Sequence, residues 1–211
     1  MKKIIFDNEK IGLSEKELEI FSALGTPAAI QSFVSAIPHN FERNGDSCMS
    51  VREVLAKRRA HCIEGAVVAA LAFWVHGEKP LLMDLVAGGG DFDHVVALFK
   101  RNGCWGAISK GNHAYTLYRD PIYRTLRELA MSYFHEYYDT DGIKTLRAYS
   151  LPFDIRKYQP EEWVTGEDAW TIAEDIGKVR HFPLISAHQA SSLREIDDIE
   201  RTVAKITITK R

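Results

Sequence analysis

Residues 62–75 read CIEGAVVAALAFWV, and beyond Glu64 the run is apolar on every side. A helix that faces solvent carries an apolar stripe, not an apolar circumference, so this one is expected to be buried on most sides. Cys62 opens it, Glu64 is an acidic first-turn residue that suits the helix dipole, and His76-Gly77 closes it. The apolar run itself, from Ala66 to Val75, is far short of the roughly 20 residues a membrane span needs.

Downstream, residues 80–86 (PLLMDLV) read as a buried strand and Gly88-Gly89-Gly90 as a flexible turn. Residues 93–100 and 104–109 read as two strands joined by Arg101-Asn102-Gly103, and Asn-Gly in that position is a strong hairpin signal because both residues tolerate positive φ. Upstream, Ser14 with Glu17 has the form of a capping box, with Leu18, Phe21 and Leu24 following at helical spacing. Gly25 ends that helix and Thr26-Pro27 opens a second, running to about residue 36. Residues 39–50 are polar and read as a loop, and Ser50 with Glu53 starts a short helix to about residue 57. Beyond the hairpin the pattern predicts a long amphipathic helix from 121 to about 138, an extended stretch at 149–153, and helices at 165–178 and 193–204.

Helices first, then a buried helix, then a cluster of strands predict an α+β fold: a buried helix packed on a small antiparallel sheet with flanking helices. No repeat, low-complexity tract or Pro/Gly/Ser-rich linker divides the chain. Residues 1–211 therefore read as a single domain with N-terminal helices and a C-terminal helical extension.

Composition narrows the function classes. Of 211 residues, 45% are hydrophobic and 27% charged, and the net charge is −2 at pH 7. A chain so apolar and so nearly neutral has the means to build a core, which excludes intrinsic disorder. Balanced charge without a basic stripe argues against a nucleic-acid partner. Charges return soon after the opening MKKIIFDNEK, before a signal-length apolar run forms, so a soluble cytoplasmic protein with no membrane partner is expected. The three cysteines, Cys48, Cys62 and Cys104, are odd in number and without a close pair, which argues against a disulfide framework. No Cys-x-x-Cys or His-Glu-x-x-His spacing is present, and no metal or other cofactor is expected.

One of the three thiols is placed for chemistry. Cys62 stands at the start of the buried helix, where unpaired N–H groups and the positive end of the dipole favour thiolate over thiol. The same N–H groups suit an oxyanion forming on a substrate carbonyl. His94 opens the first hairpin strand, placed to take the thiol proton and return it to a leaving group. A two-residue Asn102-Gly103 turn pairs Arg101 with Cys104, and continuing outward pairs Val96 with Ser109 and His94 with Gly111. Ser109 and His94 then share a face as diagonal neighbours roughly 7–8 Å apart at Cα. Ser109 is thus a candidate to orient the imidazole, and Asn112, in the loop beyond the strand, is another. Each has a plainer reading: a small core residue for Cys62, a half-buried strand histidine for His94, a strand-end hydroxyl for Ser109 and a turn residue for Asn112.

The segments RRAHCIEGAVVAALAFW (58–74) and DFDHVVALFKRNGCWGAISKGNHA (91–114), with Cys before His, resemble the transglutaminase-like branch of the papain-like cysteine protease superfamily. They also resemble bacterial proteins of that superfamily that carry HCIEGA and WGAISK-x-NHA segments. The similarity spans roughly residues 51–112, about a third of the chain. What the resemblance implies is a papain-like core in which a Cys-His-Asp triad performs acyl transfer or amide hydrolysis without metal or organic cofactor. Carried onto this chain, Cys62 is the nucleophile and His94 the base. The third position departs from the pattern, since Ser109 stands where the family has Asp, with Asn112 three residues on; papain-like enzymes often use Asn as the third member. The expected function is a cysteine-dependent amide hydrolase or acyl transferase acting on a peptide or amide substrate. The alternative, which Ser109 favours, is an inactive transglutaminase-like fold that keeps the cleft as a peptide or small-molecule binding module. A metal site of His61, Cys62 and His94 is set aside because residues 61 and 62, as neighbours on a helix, would point in different directions.

Overall fold

The computed structural model describes residues 6–43, 45–113 and 115–206. Five helices come first: α1 (Asn8–Ile11), α2 (Glu15–Ser22), α3 (Pro27–Ala36), α4 (Val51–Lys57) and α5 (Cys62–Val75). The strands β1 (Leu81–Ala87), β2 (His94–Arg101), β3 (Cys104–Ile108) and β4 (Arg119–Tyr123) follow, then α6 (Leu126–Met131). The chain continues through β5 (Leu146–Ser150), β6 (Phe153–Asp154), α7 (Trp170–Lys178), β7 (His181–Pro183), α8 (Ala187–Ser191) and α9 (Asp198–Ala204). The fold is α+β. Among the described residues its sheet has seven strands in the order β4-β3-β2-β1-β5-β7, with β6 also paired to β1, and these strands all pair antiparallel.

Side chains alternate across a strand, and the sheet uses both faces. Leu82, Ala97, Phe99 and Ile108 enter the core that holds α5, whereas Met83, Val96, Leu98 and Ala107 enter a second core with Leu129, Ala130 and Phe134. Ile63 through Phe73 are all buried, so α5 is the enclosed helix its composition requires. Gly65 is the point of closest approach. A Cβ there would lie 2.4 Å from Cβ of Lys110, and Lys110 reaches past it to give its ammonium to the Ile37 carbonyl at the end of α3, 2.5 Å away. No helix among the described residues is long and apolar enough to cross a membrane.

The local signals at the helix starts are realised. Ser14 and Glu17 close a capping box, Thr26 accepts from the Ala29 amide, and Ser50 accepts from the Glu53 amide. At the hairpin, Asn102 and Gly103 both have positive φ (50° and 83°), and Arg101 faces Cys104 and Ala97 faces Ile108 as the two-residue turn demands.

The later part of the chain departs from expectation. The helix at 121–138 is replaced by β4, then α6, then a 3₁₀ turn at Phe134–Glu136. Pro121 lies in a strand at the sheet edge, where its missing N–H is tolerated; Thr125 and Glu128 then form a capping box that restarts the helix. Residues 165–169 stay out of α7. The carbonyls of Trp163 and Val164 just before them receive the first amides of α4 (Val51 and Arg52, both 2.9 Å), and Ser50 donates its amide to the Glu167 carbonyl. The stretch at 149–153 divides between β5 and β6, and the helix at 193–204 begins only at Asp198, behind an Asp197–Glu200 capping box.

Candidate active site

A cleft of about 560 Å³ opens where the N-terminus of α5 meets the first residue of β2, and Cys62, His94, Lys110 and Asn112 are among its lining residues. Its other walls come from the loop at 39–42, from residues 91–93 and from Tyr137 and Tyr138.

Cys62 is the first residue of α5 and is half-buried. Burial by itself pushes its thiol up, but hydrogen bonds with His61 and His94, together with the charge on those rings, outweigh burial and hold it at about 5 against an ordinary value of 9.0. Cys48 shows the opposite balance: burial pushes it up to about 12. Of these two thiols only Cys62 is made acidic by its surroundings, which is the property a nucleophilic cysteine needs.

His94 is buried, and its Nε2 lies 2.6 Å from Ser109 Oγ. The register argument thus brings the two together in direct contact. The Ser109 hydroxyl donates its only hydrogen to the Thr116 carbonyl, so its oxygen must accept from Nε2–H of His94. Nε2 therefore carries hydrogen whether the ring is charged or neutral, and Nδ1 is the nitrogen that gains and loses a proton. Ser109 is itself clamped from α3: its amide donates to Gln31 Oε1 at 3.0 Å, and Gln31 Nε2 donates to its carbonyl at 2.9 Å. Asn112 lines the cleft but makes no side-chain hydrogen bond to His94 among the described residues.

The sequence marks His61 only as a metal ligand to set aside, not as a partner of the Cys62 thiol. As the N-cap of α5 it has an extended backbone (φ −100°, ψ −164°), so it does not obey helical geometry. Its ring swings beside its neighbour, with Nδ1 3.8 Å from Cys62 Sγ. The premise that residues 61 and 62 point apart fails for that reason. No group of three or more His, Cys, Asp or Glu side chains is arranged to hold a metal ion among the described residues.

Glu64 is more than a dipole partner. Its side chain is fully buried and accepts from the His61 and Met49 amides, the Ser47 hydroxyl and the Asn40 amide group. One carboxylate thereby fastens the loop at 40–49 over the start of α5. The carboxylate was visible in the sequence; its partners, 15 to 24 residues away in a loop apart from His61, were not. Compared with known proteins, the chain matches no family model and no curated protein.

Proposed function

We propose that the protein is a cysteine-dependent amide hydrolase or acyl transferase of the transglutaminase-like branch of the papain-like superfamily, with Cys62 as nucleophile and His94 as general acid–base. The observation that carries this reading is the Ser109 relay. Its hydroxyl hydrogen is committed to the Thr116 carbonyl, which fixes Nε2–H on His94 and leaves Nδ1 for the proton transfers of the reaction. The low thiol value of Cys62 and the order of helix, cysteine, hairpin and histidine support it further.

On this reading Cys62 Sγ adds as thiolate to a substrate carbonyl carbon, and the carbonyl electrons move to oxygen beside the amides at the α5 N-terminus. The C–N bond breaks as His94 Nδ1 delivers a proton to the leaving nitrogen. Water or an amine then adds to the thioester while Nδ1 takes its proton, and the C–S bond breaks to return the thiolate. A peptide or amide is the substrate class this reading assigns. Ser109, by accepting from His94 Nε2–H, supports the catalytic reading over a binding module that keeps only the cleft.

The test is a trapped acyl-enzyme. Full-length protein is incubated with p-nitrophenyl acetate and with a peptide mixture, and the Cys62 peptide is weighed before and after hydroxylamine. A hydroxylamine-labile acyl group on Cys62, absent from Cys62→Ala, is expected. Neutral-pH alkylation of Cys62 no faster than that of Cys48 and Cys104 would sink the proposal.

A further inference from the structure

Two imidazoles face the sulfur of Cys62, and their surroundings are unlike. His61 Nε2 lies 2.7 Å from the Ser47 carbonyl, a group that only accepts, so this nitrogen carries hydrogen and Nδ1 is the one turned to Sγ at 3.8 Å. Two carboxylates stand behind the ring, Glu64 Oε1 at 3.4 Å and Glu42 Oε1 at 3.7 Å from Nε2. The His61 side chain is 16% exposed and that of Glu64 0%, so water screens that contact poorly, whereas Glu42, 35% exposed, is screened more. His94 has only the hydroxyl of Ser109 behind its Nε2, and no carboxylate forms an ion pair with it among the described residues.

We propose that His61 is the counter-cation of the Cys62 thiolate, held protonated by that thiolate together with Glu64 and Ser47, with Glu42 close behind, and that His94 alone exchanges protons with the substrate. The assignment rests on Cys62 being the nucleophile. Forming the pair needs no co-reactant: the Sγ–H bond breaks, its electrons stay on sulfur, and the proton passes to His61 Nδ1. His94 draws its working proton from solvent, gives it to the leaving nitrogen and regains one from the incoming water or amine; His61 takes no part in these transfers. Glu64 is a positioning residue here, since it acts through His61 and through the loop that presents the Ser47 carbonyl.

The charged and titratable groups around the pair bear on its strength. His61 is faced by Glu42, Glu64, Cys62 and the ring of His39, with Lys110 beyond His39. Cys62 is faced by the two histidines, with Asp84, Tyr137 and Cys48 also within electrostatic reach. Burial works against a charged His61, but its contacts with Cys62, Glu64 and Ser47 outweigh it and raise the ring to about 9.

The experiment follows alkylation of Cys62 by iodoacetamide on the full chain, resolved from Cys48 and Cys104 by peptide mass spectrometry, from about pH 4 to about pH 10. The wild type is expected to reach half its maximal rate near pH 5. His61→Gln should move that inflection up by about two pH units and slow the reaction at pH 6 roughly tenfold; Glu64→Gln should move it the same way by less. Histidine NMR on the wild type should find His61 charged through about pH 8, and this measurement decides the matter if a variant fails to fold. An unmoved inflection in folded His61→Gln, or a neutral His61 at pH 7, overturns the assignment and leaves the nucleophile in place. A wild-type inflection near 9 overturns the nucleophile reading itself.

Discussion

Replacing Ser109 with alanine removes two hydrogen bonds from the site at once. The oxygen that accepts from His94 Nε2 at 2.6 Å also donates to the Thr116 carbonyl. Ser109 is 1% and His94 7% exposed, so water does not readily take its place. An unpaired buried polar group costs about 1–3 kcal/mol; Nε2–H bears that in full and the half-buried Thr116 carbonyl bears less. The loss of stability should be on the order of 2–4 kcal/mol. The chemistry suffers separately, because without an acceptor at Nε2 the tautomer with hydrogen on Nδ1 competes, and a neutral ring of that tautomer can neither give up nor regain a proton at Nδ1. A fall in acylation rate of roughly 100-fold is expected, equivalent to about 3 kcal/mol of barrier.

Two further substitutions isolate the cause. Ser109→Asp offers Nε2–H a stronger, charge-assisted acceptor, but it has no hydrogen for Thr116 and sets a carboxylate against a carbonyl. Ser109→Asn offers both an oxygen for Nε2–H and an N–H for Thr116. Both side chains are larger than serine and cost about 1–3 kcal/mol in a packed site, so that cost largely cancels between them. Asn should therefore retain more activity than Asp or Ala. The assay is acylation of Cys62 by an acyl p-nitroanilide, whose leaving nitrogen needs the His94 proton, with a urea midpoint for each variant. Acylation by Ser109→Ala within about twofold of wild type, or by Ser109→Asp above Ser109→Asn, would refute the relay.

Three more perturbations test the scaffold around the site. Gly65→Ala places a Cβ 2.4 Å from Lys110 Cβ and 2.9 Å from its Cγ, so α5 or the Lys110 stem must shift at a cost of about 1–3 kcal/mol; an unchanged urea midpoint would count against the packing described. Gln31→Leu strands both the amide and the carbonyl of Ser109, and should lower stability by on the order of 2–4 kcal/mol and slow acylation, as read by the same two assays. The third perturbation is pH. Cys62 has its folded value lowered from 9.0 to about 5, so its contribution is complete above 9 and lost as pH falls through 5. His61 has its folded value raised from 6.5 to about 9, so its contribution is complete below 6.5 and lost as pH rises through 9. Between 6.5 and 9 the two slopes cancel, and only below 6.5 does the unfolded chain bind the extra proton. The excess stability of wild type over Cys62→Ala should therefore be flat from 6.5 to 9 and fall by on the order of 2 kcal/mol down to pH 5. A fall on the alkaline side instead would contradict the pairing.

The parts of the fold that the sequence makes legible are those set by neighbours along the chain. The apolar circumference of residues 65–75 and the Asn102-Gly103 turn fix α5 and the β2–β3 register locally, and the register alone brings His94 to Ser109. Residues 121–138 mislead because β4, α6 and the 3₁₀ turn string apolar residues at intervals that mimic one long helix. Thr125 and Glu128, the signal of a new start, sit inside that run. His61 is not legible as a neighbour of the Cys62 sulfur from helical spacing, because an N-cap has its own backbone geometry. Ser109 is legible from the register as the residue that orients the imidazole; which ring nitrogen it fixes is not, because that depends on the Thr116 carbonyl, and a backbone group leaves no mark in a sequence.

The missing carboxylate behind His94 reads differently once both rings are in view. A carboxylate behind an imidazole favours its charged form, which suits a counter-ion and hinders a group that must give its proton away. In this site the anions, Glu64 and Glu42, stand behind His61, and the neutral hydroxyl of Ser109 stands behind His94. On the proposed assignment that distribution separates two tasks which a single histidine must otherwise share, holding the thiolate and moving the substrate's protons. It also explains why the supporting groups crowd into one helical turn. His61, Cys62 and Glu64 are positioned together by the start of α5; Gly65 lets that turn close onto Lys110, and Lys110 follows Ser109 directly in the chain. The counter-ion, the nucleophile and the residue that orients the base are thus tied to one packing contact. A disturbance at Gly65 should therefore move the alkylation profile of Cys62 and the acylation rate together, whereas Ser109→Ala should slow acylation and leave the thiolate largely formed.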